Sequence, residues 1–350
     1  MKKAWPFLVL VLVIIVGIYA GYYFSGSKGG SKTAKINNEP FLWGVTMRPH
    51  ALSKYTAKGW DAQLAYTKEL GTKYVRIAWQ YDAMPTPEKM FSNIIEANEK
   101  NGLSTYMIIE SNPDLTKIDN AYQNGYDAAS SIATTFKGRI KYYQLLNEAG
   151  SVALKGGQYS GEKESDYDTK KYEKVRDWIK GASAGIKKAD PDAYRVVTDQ
   201  WTHFAFLDMI QKDKVDYDII GWDWFSDMGL MGDKKMADGK TALEHLQVYN
   251  KPIILAEVNQ RPDGPTENQK MDPVKQKEFM TKMAKWAYDS KVIKGFFILE
   301  LMDVANLGAS RNYVDRYGII AANKNAKGLG EIVGKLPAFD ALAEIIKQSK

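Results

Sequence analysis

The chain of 350 residues contains no cysteine. This absence excludes disulfides, thiol nucleophiles and thiolate metal sites. Histidine is scarce as well, and the three copies, His50, His203 and His245, lie far apart in sequence. Their spacing matches no known metal-ligand motif. We therefore expect a protein that needs neither a metal ion nor another cofactor.

Most of the chain also lacks an excess of positive charge. The formal net charge is +6, but residues 1–39 contain five lysines and one glutamate, which leaves 43 basic and 41 acidic residues for the rest. A surface that binds nucleic acid needs a clustered basic excess. We expect no nucleic-acid partner, and nothing in the sequence indicates an oligomeric state.

Charge is absent from residues 4–24, an apolar segment that follows Lys2 and Lys3. As a helix, this segment is long enough to cross a bilayer core of about 30 Å. The lysines would stay in the cytoplasm. We therefore expect a transmembrane signal anchor over residues 1–24 that holds the rest at the cell membrane, on the extracytoplasmic side. The alternative is a signal peptide cleaved after Ala20, which would give a secreted protein.

Residues 25–39 are rich in glycine, serine and lysine, a composition typical of a flexible linker. From residue 40 to residue 350, strand-like and helix-like patterns alternate. The predicted strands are 41–47, 73–79, 103–109, 140–146, 194–198, 217–223, 252–256 and 294–299. The predicted helices are 60–70, 87–101, 120–136, 169–189, 203–212, 239–249, 272–290 and 336–348.

Eight strand–helix pairs favour a (β/α)₈ TIM barrel, an α/β fold that takes about 250 residues plus insertions. The predicted strands are nearly continuous apolar runs, as expected for strands buried on both faces. A doubly wound open sheet is the alternative fold. Neither a Gly-x-Gly-x-x-Gly nor a Walker-type loop follows the first strand, which makes the open sheet the weaker interpretation.

Two predicted strands end in a glutamate: Glu148 follows the fourth and Glu257 follows the seventh. In a TIM barrel, the C-terminal ends of the strands form the active-site face. Two carboxylates that face each other there suit cleavage of a glycosidic bond. One protonates the leaving oxygen, and in a retaining enzyme the other attacks from about 5–5.5 Å away. The structural alternative is that each glutamate caps a helix or pairs with a lysine.

Other polar and aromatic residues follow the same strand ends or lie near them. Arg76 would favour the ionised form of Glu257, and Asn147 could bind the 2-hydroxyl of a sugar. Indole rings can stack on sugar rings, although buried tryptophan is also common in protein cores. The further substrate-binding candidates are Gln200, Trp201, His203, Trp222, Trp224 and Glu300.

Asn147, Glu148 and Glu257, on predicted strands four and seven, resemble the paired glutamates of glycoside hydrolase clan A, whose members are retaining (β/α)₈ enzymes. The resemblance implies that Glu148 is the acid/base and Glu257 the nucleophile. Arg76 stands where the clan often has an arginine beside the nucleophile. Residues 296–303, 317–320 and 336–339 resemble the C-terminal part of family 39-like glycosidases.

The chain departs from the clan pattern at two positions. Ala149 replaces the proline that usually follows the acid/base glutamate. An alignment on Gly221 puts Trp224 where the clan usually has a tyrosine that hydrogen-bonds the nucleophile, and indole cannot act as a phenol does.

The sequence thus predicts a retaining glycoside hydrolase that acts outside the cytoplasm on a polysaccharide or oligosaccharide. One alternative is a non-catalytic, carbohydrate-binding pseudoglycosidase, for which the tryptophan in place of tyrosine is the main support. The other is a transglycosylase, which would use the same two glutamates but exclude water.

Overall fold

The computed structural model describes residues 32–48, 60–79, 87–110, 118–261, 272–303, 316–327 and 329–350. The predicted signal anchor, residues 1–24, and His50 lie outside these residues. Among the described helices, none combines the length and the apolar character that a membrane crossing requires.

The chain divides into two compact units, Met1–Glu39 and Pro40–Lys350. In the first unit, helix α1 spans Lys32–Asn37. This helix falls in the segment whose composition predicts a flexible linker, so that segment is helical in part.

Eight parallel strands form a closed barrel in the second unit. Each strand pairs with the next, and the last closes on the first with Leu42 opposite Gly295. The closure confirms the predicted (β/α)₈ barrel and excludes the open sheet. The strands are β1 Leu42–Thr46, β2 Tyr74–Ala78, β3 Ser104–Ile108, β4 Ile140–Gln144, β5 Tyr194–Gln200, β6 Ile219–Phe225, β7 Ile253–Asn259 and β8 Ile293–Ile298.

Helices follow the strands and cover the outside of the barrel, close to the predicted positions. They are α2 Trp60–Leu70, α3 Pro87–Lys100, α4 Ala121–Thr135, α5 Ala149–Ala153, α6 Thr169–Ala189, α7 Phe204–Lys212, α8 Ala242–Gln247, α9 Pro273–Asp289 and α10 Pro337–Gln348. The unpredicted features include the short helix α5, and an antiparallel hairpin of β9 Ile320–Lys324 and β10 Gly330–Lys335.

Aromatic rings fill the barrel interior on its N-terminal side. Tyr142 stacks on Tyr106 and Tyr194, with ring centroids 6.1 and 5.2 Å away. Phe297 packs on Tyr106 at 5.1 Å. Gly44 makes room for it, because a Cβ there would lie 2.2 Å from the Phe297 ring. This aromatic layer (Tyr106, Tyr142, Tyr194 and Phe297) closes the barrel beneath the polar groups at the C-terminal ends of the strands.

Helices α4 and α6 approach each other closely at Gly181, where a Cβ would lie 1.9 Å from the carbonyl oxygen of Tyr122. We expect Gly181→Ala to lower the free energy of unfolding by about 1–3 kcal/mol because the helices must move apart. At a solvent-exposed position inside a helix, the same change would stabilise the protein by about 1 kcal/mol. Urea unfolding followed by circular dichroism measures the effect.

Gly157→Ala is the matched control, because a Cβ at this loop position meets nothing within 4 Å. If Gly181→Ala unfolds at the same urea concentration as the control, the two helices are not in close contact at Gly181.

Candidate active site

Glu148 follows β4 and directly precedes α5, with a positive φ of 43°. This left-handed conformation is uncommon for a residue with a side chain. Thr198 on β5 holds the backbone there, because its Oγ1 accepts from the Glu148 amide at 3.2 Å. Gln200, at the end of the same strand, donates from Nε2 to the Glu148 Oε2 at 2.7 Å. The end of β5 therefore orients both the backbone and the carboxyl of Glu148.

Glu257 lies on β7 next to an irregularity in the strand pairing. Trp222 pairs with Leu255, but the next residue of β6, Asp223, pairs with Glu257. Ala256 is thus one extra residue on β7, as in a β-bulge, and bulges redirect side chains. The carboxyl of Glu257 points into the barrel and accepts a hydrogen bond of 2.6 Å from Arg76.

Arg76 is fully buried and connects three strands. Its Nη1 pairs with the Glu257 Oε1. Its Nη2 donates to the Gln144 Oε1 and to the Asn147 Oδ1, each at 2.9 Å. Tyr106 of the aromatic layer donates to the same Gln144 oxygen at 3.2 Å. The predicted proximity of Arg76 to Glu257 is therefore present, and Gln144 is a further member of the network that sequence reasoning missed.

A third carboxyl, that of Asp223, lies beside the two glutamates. One oxygen atom from each of Glu148, Asp223 and Glu257 lies within 4.8 Å of the others. Asp223 is fully buried, and neither of its oxygens has a hydrogen-bond partner within the described part of the chain. Oxygens at this spacing could also accommodate a hard cation. Sequence reasoning did not select Asp223, although an acid between two tryptophans in a buried strand was a usable signal.

The pKa values in this group are strongly raised. Burial, followed by the charges of Glu257 and Asp199, raises the pKa of Glu148 to about 8, although Arg261 acts in the opposite direction. Burial and the charges of Glu257 and Glu148 raise the pKa of Asp223 well above its usual range. At neutral pH, Glu148 therefore carries a proton that it can donate.

Asp199 connects the loops around Glu148. Its carboxylate accepts hydrogen bonds from the Gly150 amide and from the His203 Nδ1, each at 2.7 Å. Gly150 has no room for a side chain, because a Cβ would lie 2.1 Å from Asp199. Burial lowers the pKa of His203, but the charge of Asp199 and its hydrogen bond together raise that pKa by more, so the net shift is upward. His203 is almost fully buried and supports this loop, so it is not placed to bind a ligand as predicted.

Glu300 follows β8 and is almost fully buried. The Arg48 Nε donates to its Oε2, whereas its Oε1 has no hydrogen-bond partner among the described residues. Burial raises the pKa of Glu300 to about 7, against the lowering effect of Arg48. Because Glu300 follows the C-terminal end of β8 in a parallel barrel, this predicted candidate lies on the side of the barrel that holds the glutamates.

The three tryptophan candidates have different positions. Trp222 and Trp224 are 0% and 1% exposed. Trp222 stacks on Phe204 of α7, and the Trp224 Nε1 donates to the Gly229 carbonyl at 2.8 Å. Both predictions of substrate contact are therefore wrong, because alternate residues of β6 point to opposite faces and Asp223 takes the inner one. Trp201, which follows Gln200, is 48% exposed and free to contact a ligand.

The network yields a prediction about Glu148 that needs no substrate. In Glu257→Gln, the negative charge that helps to raise the Glu148 pKa is gone. We expect that pKa to fall below about 8 but to stay above its usual range, since burial remains. Side-chain ¹³C NMR of glutamate-labelled protein measures the titration. Glu173→Gln, on the exposed face of α6, is the control, and a Glu148 pKa that is the same in both variants would contradict the arrangement.

The chain matches no family model and no curated protein. Its fold is similar to that of a family 1 β-glucosidase from Thermotoga maritima, with a TM-score of 0.61, 12% identity and coverage of 88% of this chain and 98% of that chain. The β-glucosidase from Thermotoga maritima in complex with cyclophellitol has a TM-score of 0.62 and 13% identity, with coverage of 89% of this chain and 98% of that chain. The complex with deoxynojirimycin gives the same values. At this identity the likeness extends to the barrel fold, and it does not support the narrower resemblance to family 39.

Proposed function

We propose that the protein is a retaining glycoside hydrolase with Glu148 as acid/base and Glu257 as nucleophile. The observation that carries the proposal is the pair itself. Oxygens of the two carboxyls lie within 4.8 Å of each other, compatible with the carboxyl separation of about 5–5.5 Å in retaining enzymes. Their surroundings differ: burial keeps Glu148 protonated, whereas Glu257 is paired with Arg76. When the surroundings favour the protonated form of one carboxyl and the charged form of the other, the first is suited to be the acid and the second the nucleophile.

In the first step, the Glu257 carboxylate attacks the anomeric carbon and the bond to the leaving oxygen breaks. Glu148 donates its proton to that oxygen, and the sugar remains on Glu257 as an ester. In the second step, Glu148 removes a proton from water, which attacks the anomeric carbon and releases Glu257. The sugar leaves with its original configuration because it is inverted twice.

Other side chains are suited to hold the sugar. Asn147 is half-buried next to Glu148, and its Nδ2 is available to a hydroxyl because its Oδ1 already accepts from Arg76 and Gln144. The exposed indole of Trp201 offers an apolar face for a sugar ring. Gln200, which bonds Glu148, would keep the acid directed at the glycosidic oxygen.

The substrate proposed is an extracytoplasmic polysaccharide or glycan. A carbohydrate ligand is supported by the similarity of the barrel to β-glucosidases, two of which are complexes with cyclophellitol and deoxynojirimycin. The location rests on the apolar segment 4–24, outside the described residues, and separating the membrane and soluble fractions of cells that express the full chain would test it.

Kinetics on a panel of 4-nitrophenyl glycosides tests the pair. We expect Glu257→Ala to reduce kcat by on the order of 10³-fold or more, because the nucleophile is gone. Glu148→Gln should reduce it by roughly 10²–10⁴-fold for substrates that need protonation of the leaving oxygen. The exposed variant Glu173→Gln should match the wild type. Full activity of Glu257→Ala would remove Glu257 as nucleophile.

Cyclophellitol separates catalysis from binding alone. A carboxylate can open its epoxide, so the proposal requires an ester on the peptide that contains Glu257, detected by mass spectrometry and absent in Glu257→Gln. Reversible binding without an ester, and no turnover of any glycoside, would favour the carbohydrate-binding pseudoglycosidase instead.

The pH dependence follows from the same assignment. Glu148 must be protonated in the first step and its pKa is raised to about 8, so kcat/KM should fall as the pH rises through about 8. This alkaline limb reports the acid of the free enzyme, and Glu148→Gln should lack it. A wild-type limb that lies at pH 5, or one that persists in the variant, would show that another group is the acid.

A further inference from the structure

Asp223 is a buried carboxyl for which the mechanism above has no use. It lies on β6 directly opposite Glu257 on β7. Its side chain is 0% exposed, and both of its oxygens lack a hydrogen-bond partner among the described residues. One of them lies within 4.8 Å of oxygens of both glutamates. A buried polar group without a partner carries a large desolvation cost, so this position calls for an explanation.

The surroundings of Asp223 decide its protonation state. The charged and titratable groups that act on it are Glu257, Glu148, Arg76, Asp199 and Tyr106. Only one of them is a cation, and Arg76 is already paired with Glu257. Burial and the neighbouring carboxyls therefore both favour the neutral acid, and the raised pKa of Asp223 agrees with this.

A bound cation is a poorer way to neutralise the group. The Glu257 Oε1 is taken by Arg76, and the Glu148 Oε2 is taken by Gln200. A cation would have to share these two oxygens with their present donors, or use the remaining four with water completing its coordination. The buried guanidinium nearby would also repel a cation.

We propose that Asp223 is a positioning residue that keeps a proton and donates it in a hydrogen bond to the carboxylate of Glu257. This role rests on the proposed function, since it directs the nucleophile. Arg76 binds Glu257 from one side, and Asp223 would fix the other oxygen from β6. The two carboxyls are not hydrogen-bonded in the present conformation. Hydrogen bonds in active sites often shorten only when substrate is bound.

Infrared spectroscopy tests the proton without any substrate. The C=O stretch of a protonated carboxyl is distinct from the bands of a carboxylate. At pH 7, the wild-type spectrum minus that of Asp223→Asn should contain one protonated-carboxyl band. Asp192→Asn, which removes an exposed carboxylate in the turn before β5, should leave that region unchanged. If the difference spectrum contains carboxylate bands instead, Asp223 is ionised and the proposal is overturned.

Kinetics on the best 4-nitrophenyl glycoside tests the positioning role. Asp223→Asn keeps a neutral donor and acceptor, so we expect less than a ~10-fold loss of kcat. Asp223→Ala removes the donor, and the loss of a hydrogen bond to a charged group should cost ~10- to 100-fold in kcat, with little change in KM. Equal losses in the two variants would overturn the proposal, because an ionised carboxylate could not be replaced by the neutral amide of asparagine.

A cation can be tested directly. The proposal requires that EDTA leaves activity unchanged. It also requires that calorimetric titration with CaCl₂ or MgCl₂ shows no binding to the wild type that is missing in Asp223→Asn. Binding that disappears in the variant would show that a metal ion, and not a proton, neutralises Asp223, and would overturn the proposal. If no glycoside is turned over at all, the infrared result still decides whether Asp223 carries a proton, so the two proposals can fail separately.

Discussion

The buried guanidinium of Arg76 is the interaction on which this end of the barrel depends. Taking a charge out of water is costly unless it is paired and hydrogen-bonded. Arg76 meets both requirements through Glu257, Gln144 and Asn147. The aromatic layer beneath lowers the local polarity, which strengthens each of these contacts. Strands β2, β4 and β7 are thereby held in one register where the polar side chains converge.

Negative charge exceeds positive charge at the same place, and this imbalance helps to raise the pKa values of Glu148 and Asp223. Among the described residues, Arg76 is the fully buried cation that lies beside Glu148, Asp223 and Glu257. Three ionised carboxyls within 5 Å would repel one another strongly at low effective dielectric. The site lowers this cost by keeping Glu148 protonated, which is the state that a general acid needs. Asp223 relieves the repulsion further if it too is neutral, and its neutrality leaves Glu257 as the one carboxylate that Arg76 must balance.

Several side chains around the glutamates make contacts within the protein that support the fold. Asp199 joins β5 to α5 and to His203, so a buried acid in this barrel can serve positioning alone. Trp222 joins the barrel to its helix layer, and Trp224 is hydrogen-bonded to the loop after β6. The likeness to β-glucosidases lies in the barrel itself, which many unrelated activities share. The case for glycoside hydrolysis therefore depends on the geometry of Glu148 and Glu257 more than on the fold.

The sequence by itself determined the eight strands, the closed barrel and the position of three polar residues at one end of it. Apolar runs separated by amphipathic helices identify buried parallel strands, and Arg76, Glu148 and Glu257 stand out because polar groups are unusual within such strands or at their ends. Only the tertiary structure decided which side chains point inward. A one-residue change of register moves a side chain to the opposite face, and the bulge at Ala256 is not visible in the apolar pattern of β7. For that reason Asp223, and neither neighbouring tryptophan, faces Glu257.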